Sequence, residues 1–318
     1  MATFNGAKYI NDQLKSISNQ SIVPSEVIIC DDNSTDETVI IIKKFIDSTS
    51  MNVRLFKNKK TMGFSQNFGK ALGLCKGEYI FLCDQDDVWF SNKIERMLDV
   101  IEKNQDKYVF YNDAEFTDSD LVPKGQTKLN KQEKTNKNLN GFLQGSCCVI
   151  KREFLNQILP IPIEVKAHDI WIGWLARIFD VKYVRKETLQ YYRQHHDNNS
   201  NNKLNKSLNM NKYYYMYHTL SNNELLNNLN SSVKLLFLCK NKVNNISESN
   251  VELFNNKIIH NALKKINKEI DLIQKRIYLK QKTLISRFFH SSSFLIKGNY
   301  NYFNGSFSYI KDIFFNKF

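Results

Sequence analysis

Residues 1–115 alternate between two spacings of apolar side chains. Residues 8–19 place Tyr9, Ile10, Leu14 and Ile17 at helical intervals. Residues 26–30 are instead a short β-branched run, the pattern of a strand buried on both faces. The alternation continues: helix over 35–46, strand over 53–56, helix over 66–75 closed by Lys76-Gly77, strand over 79–83 ending in Asp84, helix over 92–102 and strand over 108–111. Strands and helices in turn predict an α/β, Rossmann-like, mostly parallel sheet with helices on both faces. The first helix opens only a few residues after Met1, so two readings of the first strand stand side by side: a short edge-like strand at residues 2–4, or a longer strand of which Met1 is an internal residue.

Beyond residue 116 the pattern loosens. Residues 117–140 are polar and rich in Lys, Asn and Gln, which predicts a surface loop. A strand over 145–150, a helix over 152–159 ending before Pro160, and a helix over 168–179 with Trp171, Trp174, Leu175 and Ile178 on one face follow. Two strands, 181–184 and 188–192, close the domain. The Asn-rich stretch 197–205 predicts a boundary, giving one domain over 1–200 and a second region over 201–318. From Leu208 onward the apolar spacing is helical, through Leu225, Leu229, Val233 and Leu236 and then Ile258 to Ile273.

Charge sharpens that division. Residues 201–318 hold 18 Lys and Arg against 6 Asp and Glu, whereas residues 1–200 hold 27 against 26. The C-terminal region is therefore a basic α-helical appendage that either meets an anionic partner or serves solubility. Its last part mixes Lys and Arg with Phe, Tyr, Leu and Ile over 287–318, which suits an interfacial helix at an anionic membrane surface. Nucleic acid is not expected, since no recognised nucleic-acid module accompanies the charge. The six cysteines form no CxxC pair. They predict reduced thiols, mostly buried in strands, a cytosolic compartment and no structural zinc. No basic stretch followed by an apolar run opens the chain, so no secretory leader is expected, and no apolar window long enough to span a bilayer occurs.

Two acidic loops carry the candidate chemistry. Asp84, Asp86 and Asp87 leave the carboxyl end of a predicted strand, where open α/β sheets bind ligands. Three clustered carboxylates repel one another unless a cation neutralises them, so the cluster suggests a hard divalent ion holding a diphosphate. The competing reading is a helix N-terminus enriched in acids. Asp31 and Asp32 follow another predicted strand; Ser34 or Thr35 suits the cap of the next helix, which leaves the two aspartates for the base or ribose of a nucleotide.

Four motifs occur in order: Ala2-Thr3-Phe4-Asn5-Gly6, Asp31-Asp32-Asn33-Ser34-Thr35-Asp36-Glu37-Thr38, Met62-Gly63-Phe64-Ser65-Gln66-Asn67-Phe68, and the run from Gly77 through Asp84-Gln85-Asp86-Asp87-Val88-Trp89. Over about residues 1–200 this resembles a family 2 glycosyltransferase of GT-A fold, and the form of the last motif resembles members, including rhamnosyltransferase-like ones, that build bacterial surface polysaccharides. The resemblance implies an inverting transfer from a nucleotide-diphosphate sugar to a glycan or lipid-linked acceptor, with Mn²⁺ or Mg²⁺. It implies Thr3 and Asn5 along the nucleotide, Asp31 and Asp32 at base and ribose, Asp84 and Asp86 as the Asp-x-Asp element at ribose and metal, and Asp87 extending it. Asp169 takes the place of the general base, with His168 where the family carries Glu. Tyr192-Arg193-Gln194-His195 resembles the closing motif, implying a phosphate contact for Arg193 and a metal or diphosphate contact for His195; His196 leaves that register open. Gly145-Ser146-Cys147 is expected on the acceptor side. Other classes fit less well: no Gly-rich basic loop of a nucleotidyltransferase opens the chain, and no GxGxxG of a dehydrogenase occurs. A catalytically inactive domain with a membrane- or partner-binding tail is the remaining alternative, and the intact carboxylate set argues against it.

Overall fold

The computed structural model describes residues 1–136, 141–196, 222–249, 253–303, 308, 309, 312 and 313. The chain divides into two compact units, Met1–His196 and Asp197–Phe318. The expected boundary stretch 197–205 and the start of the helical region at Leu208 lie outside the described residues.

In the first unit, β1 (Ala2–Thr3), β2 (Val27–Asp31) and β3 (Val53–Lys57) form a parallel three-stranded sheet. Between them run α1 (Ile10–Ser18) and α2 (Thr38–Ser48), and α3 (Phe64–Leu74) follows β3. All five residues of β2 are buried, because both of its faces are covered. Val27 and Ile29 join Ile10, Leu14, Ile17 and Ile42 on one face, and Ile28 and Cys30 pack with Ala71 on the other. That explains why the run reads as continuously apolar rather than alternating.

The second sheet contains β4 (Tyr79–Phe81), β5 (Val88–Trp89), β6 (Val109–Thr117), β7 (Pro123–Thr127), β8 (Cys148–Lys151) and β9 (Lys182–Arg193), in the order β4-β8-β6-β9-β5, with β7 beside β6. The parallel pairing of the first sheet persists only between β6 and β9; β4, β5, β7 and β8 pair antiparallel with their neighbours. Here α4 (Lys93–Lys103) buries Met97, Val100 and Ile101 against Phe110, Val149 and Leu189. The remaining helices of this unit are α5 (Lys128–Asn136), α6 (Arg152–Ile158) and α7 (His168–Phe179).

Three expectations change. Residues 117–140 contain β7 and α5 rather than a bare loop, because Glu115 and Thr117 of β6 offer a free edge to Thr127 and Pro123. The two expected closing strands are one, β9: the polar residues Arg185 and Glu187 that interrupt the apolar pattern pair with each other and, through Glu187, with Arg96 of α4. Of the six free cysteines, only Cys30 and Cys148 lie in strands.

The second unit is helical. In α8 (Asn222–Glu248), Leu229, Leu236, Cys239, Val243 and Ile246 are buried; in α9 (Asn256–Leu279), Ile259, Ala262, Ile266, Ile270 and Ile273 are, and the two stripes pack together. α10 (Leu284–Ile296) follows, burying Arg287, Ser291 and Phe294. Asp312, fully buried, accepts two hydrogen bonds from Arg276 (2.7 and 3.0 Å) and one from Tyr300 (2.9 Å). Among the described residues no helix is long and apolar enough to cross a membrane.

Candidate active site

The site forms where the strand ends of the first unit meet. Loop 4–6 after β1 is clamped to loop 84–87 after β4: the Phe4 amide donates to Gln85 Oε1 (2.9 Å) and Gln85 Nε2 donates to the Phe4 carbonyl (3.0 Å). A Cβ on Gly6 would stand 2.3 Å from Gln85 Oε1, so glycine is required for this clamp. Gln85 stands inside the fourth motif, but a side chain that imitates a strand partner carries no local sequence signal.

The first acidic loop is saturated by protein donors. Asp31 accepts from Thr3 Oγ1 (3.0 Å), the Ser34 amide (2.9 Å) and the Ser34 hydroxyl. Asp32 accepts from Asn58 Nδ2, the Met62 amide and the Gly63 amide, each at 2.8 Å. Both carboxylates are buried, so they fix the loop 58–63 and the turn into α2. Asn5, at φ 46°, donates from its amide to Ser34 Oγ and accepts from the Thr35 amide (both 2.9 Å). Thr3 and Asn5 thus hold the wall of this end of the site, and any nucleotide contact by Asp31 or Asp32 would use lone pairs left over from these bonds.

The second acidic loop is arranged differently. The carboxyl of Asp84 takes no hydrogen bond from the described residues. It is pushed well above the usual range, first by burial and then by the charges of Asp87, Asp86 and Asp169. Asp86 Oδ2 lies 2.9 Å from His195 Nε2, whose ring packs 4.5 Å from that of Tyr9. The sequence pattern expects Asp87 at the metal. This carboxylate is fully buried, accepting from Gln190 Nε2 (2.8 Å) and the Arg193 amide (3.3 Å), and burial pushes it up to about 7. Gln190 also bonds Lys93 and Ser146, so Asp87 is the anchor that ties β9 to the loop. Arg193 is expected at phosphate. Its buried guanidinium donates to the carbonyls of Asp86 (3.0 Å) and Ser119 (2.7 Å) and to Asp12 Oδ2 (2.8 Å), because a charge removed from water must find acceptors nearby.

Asp169 reaches the same place from the first turn of α7. Its Oδ1 accepts from the Ile170 amide (2.8 Å), and the Gly145 amide also bonds it, while burial holds its carboxyl above the usual range. His168 beside it is buried and stacks on Phe68 with ring centroids 3.8 Å apart; among the described residues neither ring nitrogen has a hydrogen-bond partner. Burial, and then the charge of the N-terminal amine, push it down to about 3, so the ring is neutral. A Cβ on Gly145 would lie 2.7 Å from His168 Nε2, which explains the glycine.

Lys128, at the start of α5, was hidden in the expected loop. It is half-buried, donates to Gln144 Oε1 (2.7 Å), sits 3.2 Å from the Tyr192 ring centroid, and acts electrostatically on Asp84, Asp87 and Asp169. Its ammonium is pushed down to about 8 by burial. Among the described residues no three carboxylate, imidazole or thiol groups converge closely enough to cage a metal ion. The donors that do adjoin, Asp86 and His195, with the unbonded Asp84 carboxyl behind them, fit a hard divalent ion that draws its other ligands from water and substrate phosphate.

The chain is 30% identical over 217 residues to the dTDP-rhamnosyl transferase RfbG of Shigella flexneri, covering 62% of this chain and 72% of that protein. It is 27% identical over 124 residues to the UDP-Glc:α-D-GlcNAc-diphosphoundecaprenol β-1,3-glucosyltransferase WfgD of Escherichia coli, and that match spans 48% of the enzyme's length. Among solved structures, residues 1–349 of S. aureus TarS in complex with UDP superpose with TM-score 0.54 at 18% identity, over 86% of this chain and 88% of that one. The mannosyltransferase PcManGT of Pyrobaculum calidifontis, in complex with GDP-Man and Mn²⁺, superposes with TM-score 0.50 at 13% identity, over 98% and 82%. These likenesses establish the GT-A fold. The family profile described as Glycosyl transferase family 2 matches residues 1–159. The chain belongs to glycosyl transferase family 2.

Proposed function

We propose that this glycosyltransferase inverts the anomeric centre of a nucleotide-diphosphate sugar as it transfers the sugar to a hydroxyl of a glycan or lipid-linked acceptor, in the synthesis of a bacterial surface polysaccharide. The observation that carries the reading is the convergence of Asp169, from α7, on the Asp84–Asp86 loop after β4, with Asp84 pushed up by both. Transfer chemistry is assigned to residues 1–200 and an accessory role to 201–318. The names of the relatives, a dTDP-rhamnosyl transferase and a UDP-glucose transferase acting on a diphosphoundecaprenol-linked sugar, support this donor and acceptor class.

The reaction follows from the residues. Asp169 accepts the proton of the acceptor hydroxyl as that oxygen attacks the anomeric carbon from the face opposite the diphosphate. Its raised proton affinity makes it a stronger base than a solvated carboxylate, and its bonds to the Ile170 and Gly145 amides fix its direction. Neutral His168, buried and stacked on Phe68, packs beside the base without adding charge to it. Asp86 and His195, with Asp84 in support, would hold Mn²⁺ or Mg²⁺, which would stabilise the departing diphosphate as a Lewis acid. Asp87 and Arg193 keep that loop in place; Thr3, Asn5, Asp31 and Asp32 frame the nucleotide end. We assign the protein to the cytoplasmic face of the plasma membrane, where lipid-linked acceptors present their sugars.

The test is release of nucleoside diphosphate from a panel of UDP-, dTDP- and GDP-sugars, with and without Mn²⁺ or Mg²⁺. Release from one donor that requires the cation, and is lost in Asp86→Ala and Asp169→Asn, is expected. Cation-independent release, or an axial-to-axial product by NMR, would overturn the metal or the inverting assignment respectively.

A further inference from the structure

α10 presents an apolar face that the described residues leave exposed. Leu284, Ile285, Phe288, Phe289, Leu295 and Ile296 are all exposed, Ile285 by 72%, Phe289 by 67% and Ile296 by 85%. At 100° per residue these six positions fall within about 140° of the helix circumference, a single continuous stripe. The opposite face, Arg287, Ser291 and Phe294, is buried in the second unit's own core, and Phe294 meets Tyr300 edge-on at 5.0 Å. The stripe is therefore fixed outward and cannot roll under. Lysines stand at both ends: exposed Lys297 caps the C-terminus, and Lys282, just before the N-terminus, lies over the exposed ring of Tyr278 at 4.3 Å. The helix of 13 residues is about 20 Å long, too short to span a bilayer but long enough to lie along one.

We propose that α10 is a membrane-surface anchor that lies in the plane of an anionic lipid bilayer, with its Leu, Ile and Phe side chains among the acyl chains and Lys282 and Lys297 at the headgroups. Charge selects this occupant over a second copy of the chain. Residues 201–318 carry 18 basic against 6 acidic residues, so two such units brought face to face would repel, whereas an anionic surface attracts them. The sequence pattern predicts an interfacial helix over 287–318; the exposed face begins earlier, at Leu284, and its most apolar stretch precedes the lysines of the tail. The anchor is independent of the reaction assigned above, because vesicle binding is read without any sugar donor.

The experiment is co-sedimentation of the full chain with phosphatidylcholine vesicles, with and without phosphatidylglycerol. Binding to the anionic vesicles is expected, at least tenfold weaker on neutral ones and weakened by salt. Ile285→Ser with Phe289→Ser should cut the partition coefficient by about 100-fold with an unchanged thermal melt, since both side chains are mostly exposed and Phe289 touches only the equally surface-borne ring of Phe288. Lys297→Glu, a second and milder variant, should cost about tenfold on anionic vesicles only. Absence of binding, equal binding to both vesicle kinds, or binding that survives the double variant would overturn the proposal. So would a dimer in sedimentation velocity that the double variant dissolves, which would assign the stripe to a second copy.

Discussion

The two acidic loops of the first unit look alike in sequence and are opposites in structure. Each lies at the end of a strand and opens on aspartates. Around Asp31 and Asp32 the protein supplies the compensation itself: two hydroxyls, one side-chain amide and three backbone amides point at the two carboxylates. Around Asp84 and Asp86 it does not. Among the described residues Asp84 has neighbours of its own sign and accepts no hydrogen bond, and Asp86 Oδ2 faces the His195 imidazole. A carboxylate already bonded at every oxygen builds architecture. A cluster left in mutual repulsion holds free energy that only a cation or a proton can release, and that imbalance is what a reaction on a diphosphate can use.

If that distinction is right, substitutions in the two loops should fail in different ways. The largest effect is expected at the uncompensated end. Asp169→Asn should lower kcat by about 10³-fold with the donor KM little changed, and Asp86→Ala should lower kcat comparably while raising the cation concentration needed for half-maximal rate. Asp32→Asn should act on the fold instead. It turns one acceptor oxygen into a donor facing the Met62 or Gly63 amide, at a cost of about 3 kcal/mol, read as a fall in the urea midpoint. A kcat loss for Asp32→Asn as large as for Asp86→Ala, with normal stability, would erase the contrast.

A smaller effect tests the neighbour of the base. His168 titrates near 3 when folded, against an ordinary 6.5, because burial disfavours its charged form. On acidification the unfolded chain therefore takes the proton first. Stability is whole above about pH 6.5 and is lost as the pH falls toward 3, by about 2 kcal/mol at pH 5. His168→Phe, which keeps the stack on Phe68, should flatten that acid limb of the urea midpoint; an unchanged slope would mean that the imidazole is solvated.

Most of the element order was legible because the strands and helices here are built from local apolar spacing. The helix over 168–179 and the strands over 27–31 and 53–57 fall within a residue or two of the pattern. What stayed hidden depends on residues far away in the chain. Nothing in Asp84-Gln85-Asp86-Asp87 distinguishes Asp86 from Asp87; Gln190, roughly a hundred residues on, makes Asp87 an anchor and leaves Asp86 to His195. Val88–Trp89 is a strand only because β9 pairs with it, two residues being too short to show a period. The roles of Arg193 and Gln85 are set by carbonyls of Asp86, Ser119 and Phe4, and backbone acceptors leave no trace in side-chain pattern.

The finest test of the contrast is Lys128, the cation that the protein does bring to the uncompensated carboxylates. While charged it offsets part of the repulsion among Asp84, Asp87 and Asp169, and it competes with any divalent ion for the same field. Lys128→Gln should therefore tighten Mn²⁺ binding to the donor-free protein, by about tenfold for one charge at this range, while weakening the anionic donor. Pushed down to about 8, Lys128 is mostly charged at pH 7 and mostly neutral at pH 9. The advantage of the variant for Mn²⁺, measured by calorimetry, should thus be present at pH 7 and fade as the pH rises past 8. An advantage that persists undiminished at pH 9 would trace to the lost bond with Gln144 rather than to charge, and the carboxylates would then owe their balance to something other than this lysine.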